Sequence, residues 1–237
     1  MIAILANGTA PHHPIPRQIL AEAALLVCCD GAFAAARALG REPDFVKEPA
    51  ADSAMVALLE DLAKNAFVPV RDTLSLSPAD RAALGDRFVH VAEQDTNDLA
   101  KAFRFVRPRA SRIAILGATG LREDHMLGNV FRLVDFTAAV PDTVLYSDFG
   151  TFEVVRGERM FAAQTGDAVS VFAPVPGTKV ASIGLKWPLD GVSLADLWAG
   201  TLNRTTGPSF TLRTDGKPIL VYRPYPTPAA SVPPAAS

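Results

Sequence analysis

The residue types best suited to chemistry lie in one segment, residues 117–129, which reads Gly-Ala-Thr-Gly-Leu-Arg-Glu-Asp-His-Met-Leu-Gly-Asn. An apolar run at 113–116 precedes it and an amphipathic run at 126–140 follows it, which predicts a strand, a glycine turn and a helix. Backbone N–H groups of such a turn and the helix N-terminus attract a phosphate, and Asp124 could hold the magnesium that accompanies it. The alternative is a purely structural turn, but such a turn needs neither Asp124 nor His125. The segment therefore favours a nucleotide or polyphosphate ligand.

Polar residues also follow other apolar runs of the chain. Ligands of open parallel sheets bind at the carboxyl ends of the strands, so these positions are candidates for one site. Each has a structural interpretation as well, because Asp30 and either Asn97 or Asp98 could cap helices, and Asp72 could be a loop residue. Several carboxylates at one sheet edge repel one another unless a cation offsets them, and magnesium with phosphates would do so. The remaining candidates are Asn7, Gly8, Gly31 and the segment Glu-Gln-Asp-Thr-Asn-Asp at 93–98.

The elements that must position these residues follow from the hydrophobic pattern. Strand-like runs alternate with helical runs up to about residue 146, which predicts an α/β domain with a mostly parallel sheet. From residue 152 on, short apolar runs are separated by Gly, Pro and Asp, which predicts a smaller all-β domain. The tail from Pro224 is predicted to be disordered, because it has too little apolar surface to bury. We therefore divide the chain into residues 1–146, 147–223 and 224–237.

The first domain is predicted to contain strands at 2–5, 25–29, 88–91, 113–116 and 143–146, and helices at 15–23, 31–39, 54–64, 78–84, 97–105 and 126–138. The second is predicted to contain strands at 152–155, 168–172, 210–213 and 219–222.

Composition and charge bound the class of protein. The 237 residues exceed one typical domain, 49% are hydrophobic and the formal net charge is −2, which indicates a soluble two-domain protein and argues against a nucleic-acid partner. No apolar run approaches the roughly 20 residues that cross a bilayer and no basic leader is present, so we expect a cytoplasmic protein without a membrane partner. Cys28 and Cys29 are adjacent in an apolar run, so we expect buried thiols without a mutual disulfide.

Five stretches of the sequence together resemble one known family, the thiamine pyrophosphokinases, over nearly the whole chain. Their order and spacing make the resemblance specific. They are Ile-Leu-Ala-Asn-Gly at 4–8, Val-Cys-Cys-Asp-Gly-Ala at 27–32, Glu-Gln-Asp-Thr-Asn-Asp-Leu-Ala-Lys at 93–101, Gly-Ala-Thr-Gly at 117–120 with Asp124-His125, and Gly-Leu-Lys-Trp-Pro-Leu at 184–189.

The resemblance implies a fold, a reaction and a partner. The fold is a Rossmann-like three-layer α/β domain with a mostly parallel sheet, followed by a smaller all-β sandwich domain that helps to bind thiamine. The reaction is ATP plus thiamine giving AMP plus thiamine diphosphate, and it needs Mg²⁺. The implied assembly is a homodimer with sites between its subunits. In physical terms, the thiamine hydroxyl attacks the β-phosphorus of ATP, so the protein mainly positions groups and stabilises negative charge.

The resemblance also assigns roles to individual residues. Trp187 could offer its face to a cationic thiazolium or a flat pyrimidine, or it could be a core tryptophan of the β domain. His125 either bonds a phosphate or orients the neighbouring aspartate. Catalysis and metal binding are assigned to Asp72, Asp98 and Asp124; nucleotide or phosphate binding to Asn7, Asp30, Gly31, Gln94, Lys101, Thr119, Gly120, Arg122 and His125; and thiamine binding to Trp187 and Asn203.

One motif departs from the family pattern. The family carries Gly-Asp-x-Asp-Ser after its third strand, which supplies two aspartates for magnesium. The corresponding residues 71–75 read Arg-Asp-Thr-Leu-Ser. Asp72 therefore keeps the first aspartate, while Leu74 replaces the second and Arg71 replaces the glycine.

The sequence before this motif is also atypical. Residues 43–46 resemble the strand that should lead into it, and the interval at about 47–70 is either an inserted segment or a locally altered sequence that disrupts the site. A loop insertion of this length is tolerated because the closure entropy grows slowly with loop length. The interval contains a second imperfect copy of the motif, Asp52-Ser53, and Asp52 could replace the missing magnesium ligand.

Two other functions stay open beside the kinase. The first is a catalytically impaired relative that binds thiamine or a nucleotide, favoured by Leu74 and by Leu202, which stands where the family usually has serine. The second is a pyrophosphokinase for a pterin alcohol, since the nucleotide half could serve another hydroxymethyl acceptor. The Gly-Leu-Lys-Trp stretch favours thiamine.

Overall fold

The structure is a computed structural model that describes residues 1–29, 31–41, 67–71, 89–90 and 96–226. The chain divides into two compact units. The first comprises Met1–Asp148 and Phe152–Val154, and the second comprises Phe149–Thr151 and the chain from Val155 onward.

The first unit is built on a parallel sheet. Its described strands are β1 (Ile2–Leu5), β2 (Leu25–Cys29), β3 (Phe67–Arg71), β4 (Val89–His90), β5 (Arg112–Leu116) and β6 (Asp142–Tyr146). Their order in the sheet is β6-β5-β1-β2-β3-β4. The described helices are α1 (Pro14–Glu22), α2 (Ala32–Ala38), α3 (Asp98–Val106) and α4 (Glu123–Ala139), and a 3-10 turn (Arg107–Arg109) follows α3.

The core of this unit surrounds the central strands. All residues of β1 and β2 are buried, as expected for parallel strands that are covered on both faces. Helix α3 buries an apolar face that includes Leu99 and Phe103, and Phe103 stacks on Phe136 of α4 with ring centroids 4.1 Å apart. These contacts fix the positions of α3 and α4, the two helices whose first turns carry the predicted site residues Asp98, Asp124 and His125.

Strand β3 corrects one part of the sequence analysis. The strand that leads into Asp72 is Phe67–Arg71, which pairs with β2, so the last residues of the predicted insertion belong to the sheet. The run Phe-Val-Pro-Val-Arg was not predicted as a strand because Pro69 lacks an N–H for pairing. In the described part of the chain, strand β4 pairs with Val70 and Arg71, beyond the proline. The predicted strand at 43–46 and the predicted helices at 54–64 and 78–84 lie outside the described residues.

The second unit contains two antiparallel sheets. Strand β7 (Gly150–Val155) contributes residues to both units. The other strands are β8 (Glu158–Ala162), β9 (Ala168–Phe172), β10 (Thr178–Ile183), β11 (Val192–Leu194), β12 (Gly200–Arg204), β13 (Ser209–Thr214) and β14 (Ile219–Pro224). The two sheets are ordered β12-β9-β14 and β11-β10-β13-β8. Between them lies a core that includes Phe161 and Phe210, whose ring centroids are 4.9 Å apart.

The architecture confirms the predicted fold class, an α/β domain with a mostly parallel sheet followed by a smaller β-sandwich. The predicted strands of the second domain correspond to β7, β9, β13 and β14, whereas β8, β10, β11 and β12 were not predicted. Strand β14 extends to Pro224, where the sequence had predicted disorder, and the Tyr225 N–H donates to the carbonyl of Phe149 at 2.9 Å. Residues 227–237 lie outside the described part of the chain.

The structure also bears on the two cysteines and on membrane-spanning helices. Cys28 and Cys29 are buried and form no disulfide, which confirms the expectation for these thiols. Burial raises the pKa of Cys28 well above its usual value, and the neighbouring Cys29 raises it further. Within the described ranges, no helix combines the length and the apolar character needed to cross a membrane.

Candidate functional site

Two loops meet at the carboxyl ends of β1 and β5. The Gly8 N–H donates to the carbonyl of Gly117 at 2.7 Å, and the Thr9 N–H donates to the carbonyl of Thr119 at 2.9 Å. A Cβ on Gly8 would lie 2.5 Å from the carbonyl oxygen of Thr119, so only glycine allows this approach. Gly120 has φ +77°, and a Cβ there would lie 2.8 Å from the Cβ of Thr9. The two loops therefore form one closely packed backbone unit.

A cavity of about 480 Å³ opens beside these loops and the N-terminus of α3. It brings together residues that are far apart in sequence, because the parallel strands all end at this edge. Of the predicted site residues, its lining includes Asn7, Asp98, Lys101, Gly120, Arg122 and His125; the other lining residues are Ala6, Gly8, Cys29, Thr96, Asn97, Leu99, Ala118, Leu121 and Asn129.

Two of the remaining predicted residues, Thr119 and Gly31, are described and do not line the cavity. Thr119 faces the first loop through its carbonyl and does not line the cavity. The amide of Asn7 covers Gly31, since a Cβ on Gly31 would lie 2.7 Å from the Asn7 amide atoms. Asp30, Asp72 and Gln94 lie outside the described residues.

The start of α3 presents a carboxylate, Asp98, and an ammonium group, Lys101, to the cavity. The Asn97 carbonyl oxygen Oδ1 accepts from the Ala100 N–H at 3.0 Å, which confirms the predicted helix cap. Asp98 follows in the first turn, where the helix dipole favours a carboxylate. The Lys101 Nζ lies 3.5 Å from Asp98 Oδ1, and only 2% of the Lys101 side chain is exposed against 30% for Asp98. A buried ammonium that lines a polar cavity suits an anionic ligand.

Helix α4 begins at Glu123, three residues before the predicted start, so Asp124 and His125 lie in its first turn. The Arg122 guanidinium donates to both carboxylate oxygens of Asp124, at 3.1 Å and 2.6 Å. These bonds lower the pKa of Asp124 to about 2. His125 contacts Asp124 through its backbone N–H at 2.9 Å, while its side chain belongs to the cavity lining. The carboxylate of Asp124 is thus committed to Arg122 and does not line the cavity.

The described donors fit a magnesium ion that enters with a polyphosphate. In the described ranges, no group of three His, Cys, Asp or Glu side chains could hold a metal by itself. Mg²⁺ is usually bound by one or two carboxylates together with substrate phosphates and water, and Asp98 supplies such a carboxylate to the cavity. Strand β3 also ends at this edge of the sheet, and Asp72, the next residue in the sequence, lies outside the described residues.

The second unit has a cavity of about 360 Å³ lined by Trp187, Leu189 and residues 199–203. Trp187 is 52% exposed, so the alternative of a core tryptophan is wrong. The ammonium of Lys186 lies 4.8 Å from the centroid of the Trp187 ring, which shows that this ring face can receive a cation.

Asn203 holds the tryptophan segment in place. Its Oδ1 accepts from the N–H groups of Trp187 at 3.2 Å and Arg204 at 2.8 Å, and its Nδ2 donates to the Trp187 carbonyl at 2.6 Å. The residue is 3% exposed. The adjacent Leu202 is 81% exposed and has φ +60°, which is unfavourable for leucine. Leu202 lines the cavity, and the sequence does not reveal its strained backbone conformation.

Asn129 is a cavity residue that the sequence analysis did not single out. Its Oδ1 accepts from Asn97 Nδ2 at 3.0 Å, and its Nδ2 donates to the Ala118 carbonyl at 3.0 Å. A signal was present, because Asn129 follows His125 by four residues and therefore lies on the same face of α4.

The fold and the two cavities together define a Rossmann-like α/β domain followed by a β-sandwich domain. The model of the thiamin pyrophosphokinase catalytic domain matches residues 16–145, and the model of the thiamin pyrophosphokinase substrate-binding domain matches residues 150–222. The chain belongs to the thiamin pyrophosphokinase family. No curated protein matches the sequence.

Solved structures share the fold over nearly the whole chain. The thiamine pyrophosphokinase of Bacillus subtilis has a TM-score of 0.72 at 18% identity, covering 94% of this chain and 98% of that one. The enzyme of Geobacillus thermodenitrificans has a TM-score of 0.70 at 20% identity, with 97% and 99% covered. That of Candida albicans has a TM-score of 0.65 at 12% identity, with 94% and 88% covered. At these identities the likeness concerns the fold alone.

Proposed function

We propose that the protein is a thiamine pyrophosphokinase, which transfers a diphosphate from ATP to the thiamine hydroxyl and releases AMP. The observation that carries this proposal is the cavity of the first unit, where a glycine turn, the buried Lys101 and the carboxylate of Asp98 meet at the carboxyl ends of parallel strands. Membership of the family and a separate cavity in the substrate-binding domain support it.

Residues of the first cavity would bind and polarise the polyphosphate. The hydroxyl oxygen of thiamine would form a bond to the β-phosphorus and lose its proton to water, while the bond from that phosphorus to the α,β-bridging oxygen breaks and AMP leaves, so charge spreads over the phosphate oxygens. Lys101, whose side chain is buried, would place a positive charge at a defined position beside them. Arg122 and the backbone of Gly120 would contact phosphate oxygens, and Asn7 and His125 would line the nucleotide. Asp30 and Gln94 complete the proposed nucleotide site, while Gly31 and Thr119, which do not line the cavity, would support its loops.

Magnesium is the proposed metal, with Asp98 as its ligand in the cavity and Asp72 and Asp124 as the further carboxylates. When bound, Mg²⁺ would neutralise phosphate charge and orient the reacting phosphoryl group. Asp124 would then have to exchange its contact with Arg122 for the metal, which leaves Arg122 to meet the phosphates. Leu74 supplies no ligand where the family has its second motif aspartate, so Asp98 carries more of the metal binding.

Thiamine is proposed to bind in the cavity of the second unit. Its cationic thiazolium would displace the ammonium of Lys186 from the face of Trp187, and Leu202 would add apolar contact. Asn203 acts on this site by fixing the Trp187 backbone. We propose residues 1–146 as the catalytic domain and 147–223 as the thiamine-binding domain.

A specific observation favours one competing function, a relative that binds thiamine without transferring phosphate. The strained Leu202 occupies the thiamine cavity where the family usually has serine, and Leu74 occupies the metal motif. A pterin alcohol as acceptor is less well supported, because the second unit matches the family's substrate-binding domain.

The deciding experiment mixes the protein with ATP, Mg²⁺ and thiamine, and follows AMP and thiamine diphosphate. Controls omit thiamine, and two variants are compared, Asp98→Asn in the cavity and Asp135→Asn on the exposed face of α4. We expect thiamine-dependent AMP from the wild type and from Asp135→Asn, and a strong loss with Asp98→Asn. Thiamine binding by calorimetry without any AMP would instead identify the impaired relative.

The proposed assembly is a homodimer. Sedimentation velocity should give a species of twice the mass of one chain at the protein concentration of the assay. A fully active monomer would contradict this part of the proposal.

A further inference from the structure

The two Asn side chains between α3 and the glycine turn form a continuous hydrogen-bonded chain. The amide of Asn97 donates to the amide oxygen of Asn129, and the amide of Asn129 donates to the Ala118 carbonyl, each at 3.0 Å. At the other end, the Ala100 N–H donates to the Asn97 Oδ1. These hydrogen bonds thus join the backbone of α3 to the backbone of the glycine turn.

The direction of every bond in this chain is determined. The Ala100 N–H can only donate, so Asn97 must present its oxygen to α3 and its NH₂ to Asn129. Asn129 must then present its oxygen to Asn97, which leaves its NH₂ for Ala118, a carbonyl that can only accept. Each group meets a partner of opposite type, so the geometry admits one arrangement of the two amides.

The elements joined in this way carry the two halves of the proposed phosphate site. On one side, α3 supplies Asp98 and the buried Lys101. On the other, the turn supplies the backbone of Gly120 and leads to Arg122. Asn129 itself lies on the third element, α4, between them. In the first unit, these amide hydrogen bonds therefore connect the helix that carries Lys101 to the turn, in addition to the sheet and the Phe103–Phe136 stack.

We propose that Asn129 is a positioning residue of the phosphate site, acting through Asn97 and Ala118 to hold α3 and the glycine turn at the spacing required for phosphoryl transfer. The proposal rests on the proposed function for its catalytic consequence. Its structural content, that a change in Asn97 loosens the turn through Asn129, stands independently of any activity.

Substitutions at Asn97 and Asn129 separate this role from helix capping. Asn97→Asp keeps an oxygen for the Ala100 N–H, and therefore the cap, but has no NH₂ to donate to Asn129. Asn129→Ala removes the link from the other side. The matched control is Asp135→Ala, which changes an exposed side chain on the same helix. The double variant Asn97→Asp/Asn129→Ala completes a thermodynamic cycle.

The first measurement is hydrogen exchange of the backbone amides at 117–121, with Tm measured in parallel. We expect faster exchange at these amides in Asn97→Asp, Asn129→Ala and the double variant to the same extent, with the control unchanged. Exchange at 117–121 that is as slow in Asn97→Asp as in the wild type would overturn the proposal, whatever the activity of the protein.

The second measurement is the kinetics of thiamine diphosphate formation. We expect each single variant to lower kcat about tenfold, with the KM for thiamine unchanged and the double variant no slower than either single one, because a small misplacement of reacting groups has a large effect on rate. Losses that multiply in the double variant would overturn a shared positioning role. A wild type without transferase activity would refute the proposed function, and the exchange experiment would still decide the role of Asn129.

Discussion

At the scale of single residues, the candidate phosphate site is organised by charges that are already paired. Lys101 lies beside Asp98 and Arg122 beside Asp124, and each pair is close in sequence. The two pairs differ in their surroundings, because Lys101 is buried whereas Arg122 and Asp124 are exposed to water. Solvent screens the second pair, so its side chains can exchange partners readily when a phosphate and a metal arrive.

The pairing of Asp124 predicts its titration. Arg122 stabilises the ionised carboxylate, so Arg122→Gln should raise the pKa of Asp124 from about 2 toward the ordinary value of about 3.9. In the wild type, the contribution of this group to stability should be complete above about pH 4 and lost as the pH falls through about 2. Carboxyl NMR titration measures this shift, with Arg132→Gln on the same helix as control. An unchanged Asp124 titration in Arg122→Gln would show that the pair does not form in solution.

At the scale of elements, the site depends on the direct approach of two backbone turns. The loop after β1 donates backbone N–H groups directly to carbonyls of the turn after β5. Gly8 makes this contact possible, since any Cβ at this position would press against the carbonyl of Thr119. The glycines of the two loops are thus required by packing as well as by a possible ligand.

Two glycine substitutions test this contact. Gly8→Ala should lower the free energy of unfolding by about 1–3 kcal/mol, because the added methyl group forces the turns apart, and should weaken nucleotide binding. Gly128→Ala is the matched control, since its Cβ would meet nothing within 4 Å in the exposed part of α4. There we expect a gain of about 0.5–1 kcal/mol from helix propensity. Urea denaturation measures both values, and equal stability of Gly8→Ala and wild type would refute the close approach.

At the scale of the whole molecule, the two candidate ligands are assigned to different units. The cavity with Asp98 lies within the first unit and the cavity with Trp187 within the second, and each unit matches its own family domain. Substitutions in one cavity should therefore affect one ligand when each ligand is measured alone.

This division predicts crosswise binding defects. Asp98→Asn should weaken a non-hydrolysable Mg²⁺–ATP analogue about tenfold or more and leave thiamine binding unchanged. Trp187→Leu should weaken thiamine about fivefold, from loss of about 1 kcal/mol of cation–π attraction, and leave the nucleotide unchanged. Trp198→Leu is the control, because Trp198 is 68% exposed in the same unit and does not line the cavity. Calorimetry measures each affinity, and a thiamine defect in Trp198→Leu equal to that in Trp187→Leu would contradict the assignment.

The sequence by itself determined the features that rest on neighbouring residues. Apolar runs alternating with helical ones predicted the parallel sheet, a cap at Asn97 or Asp98 was expected from their residue types, and the glycine turn before α4 was recognisable from the runs on either side of it. The resemblance of five short stretches indicated the family. These signals are local, because turn conformation, capping and amphipathic period depend on residues only a few positions apart.

Only the tertiary structure decided the features that depend on distant partners. Phe67–Arg71 is a strand in spite of Pro69 because β2 pairs with it. Glu158–Ala162 shows no clear alternation of polar and apolar residues, and it is a strand because β13 pairs with it. The exposure of Trp187 and the amide link through Asn129 likewise result from contacts between separate elements. Pairing and burial of this kind are collective properties of the packed chain, so no local pattern specifies them.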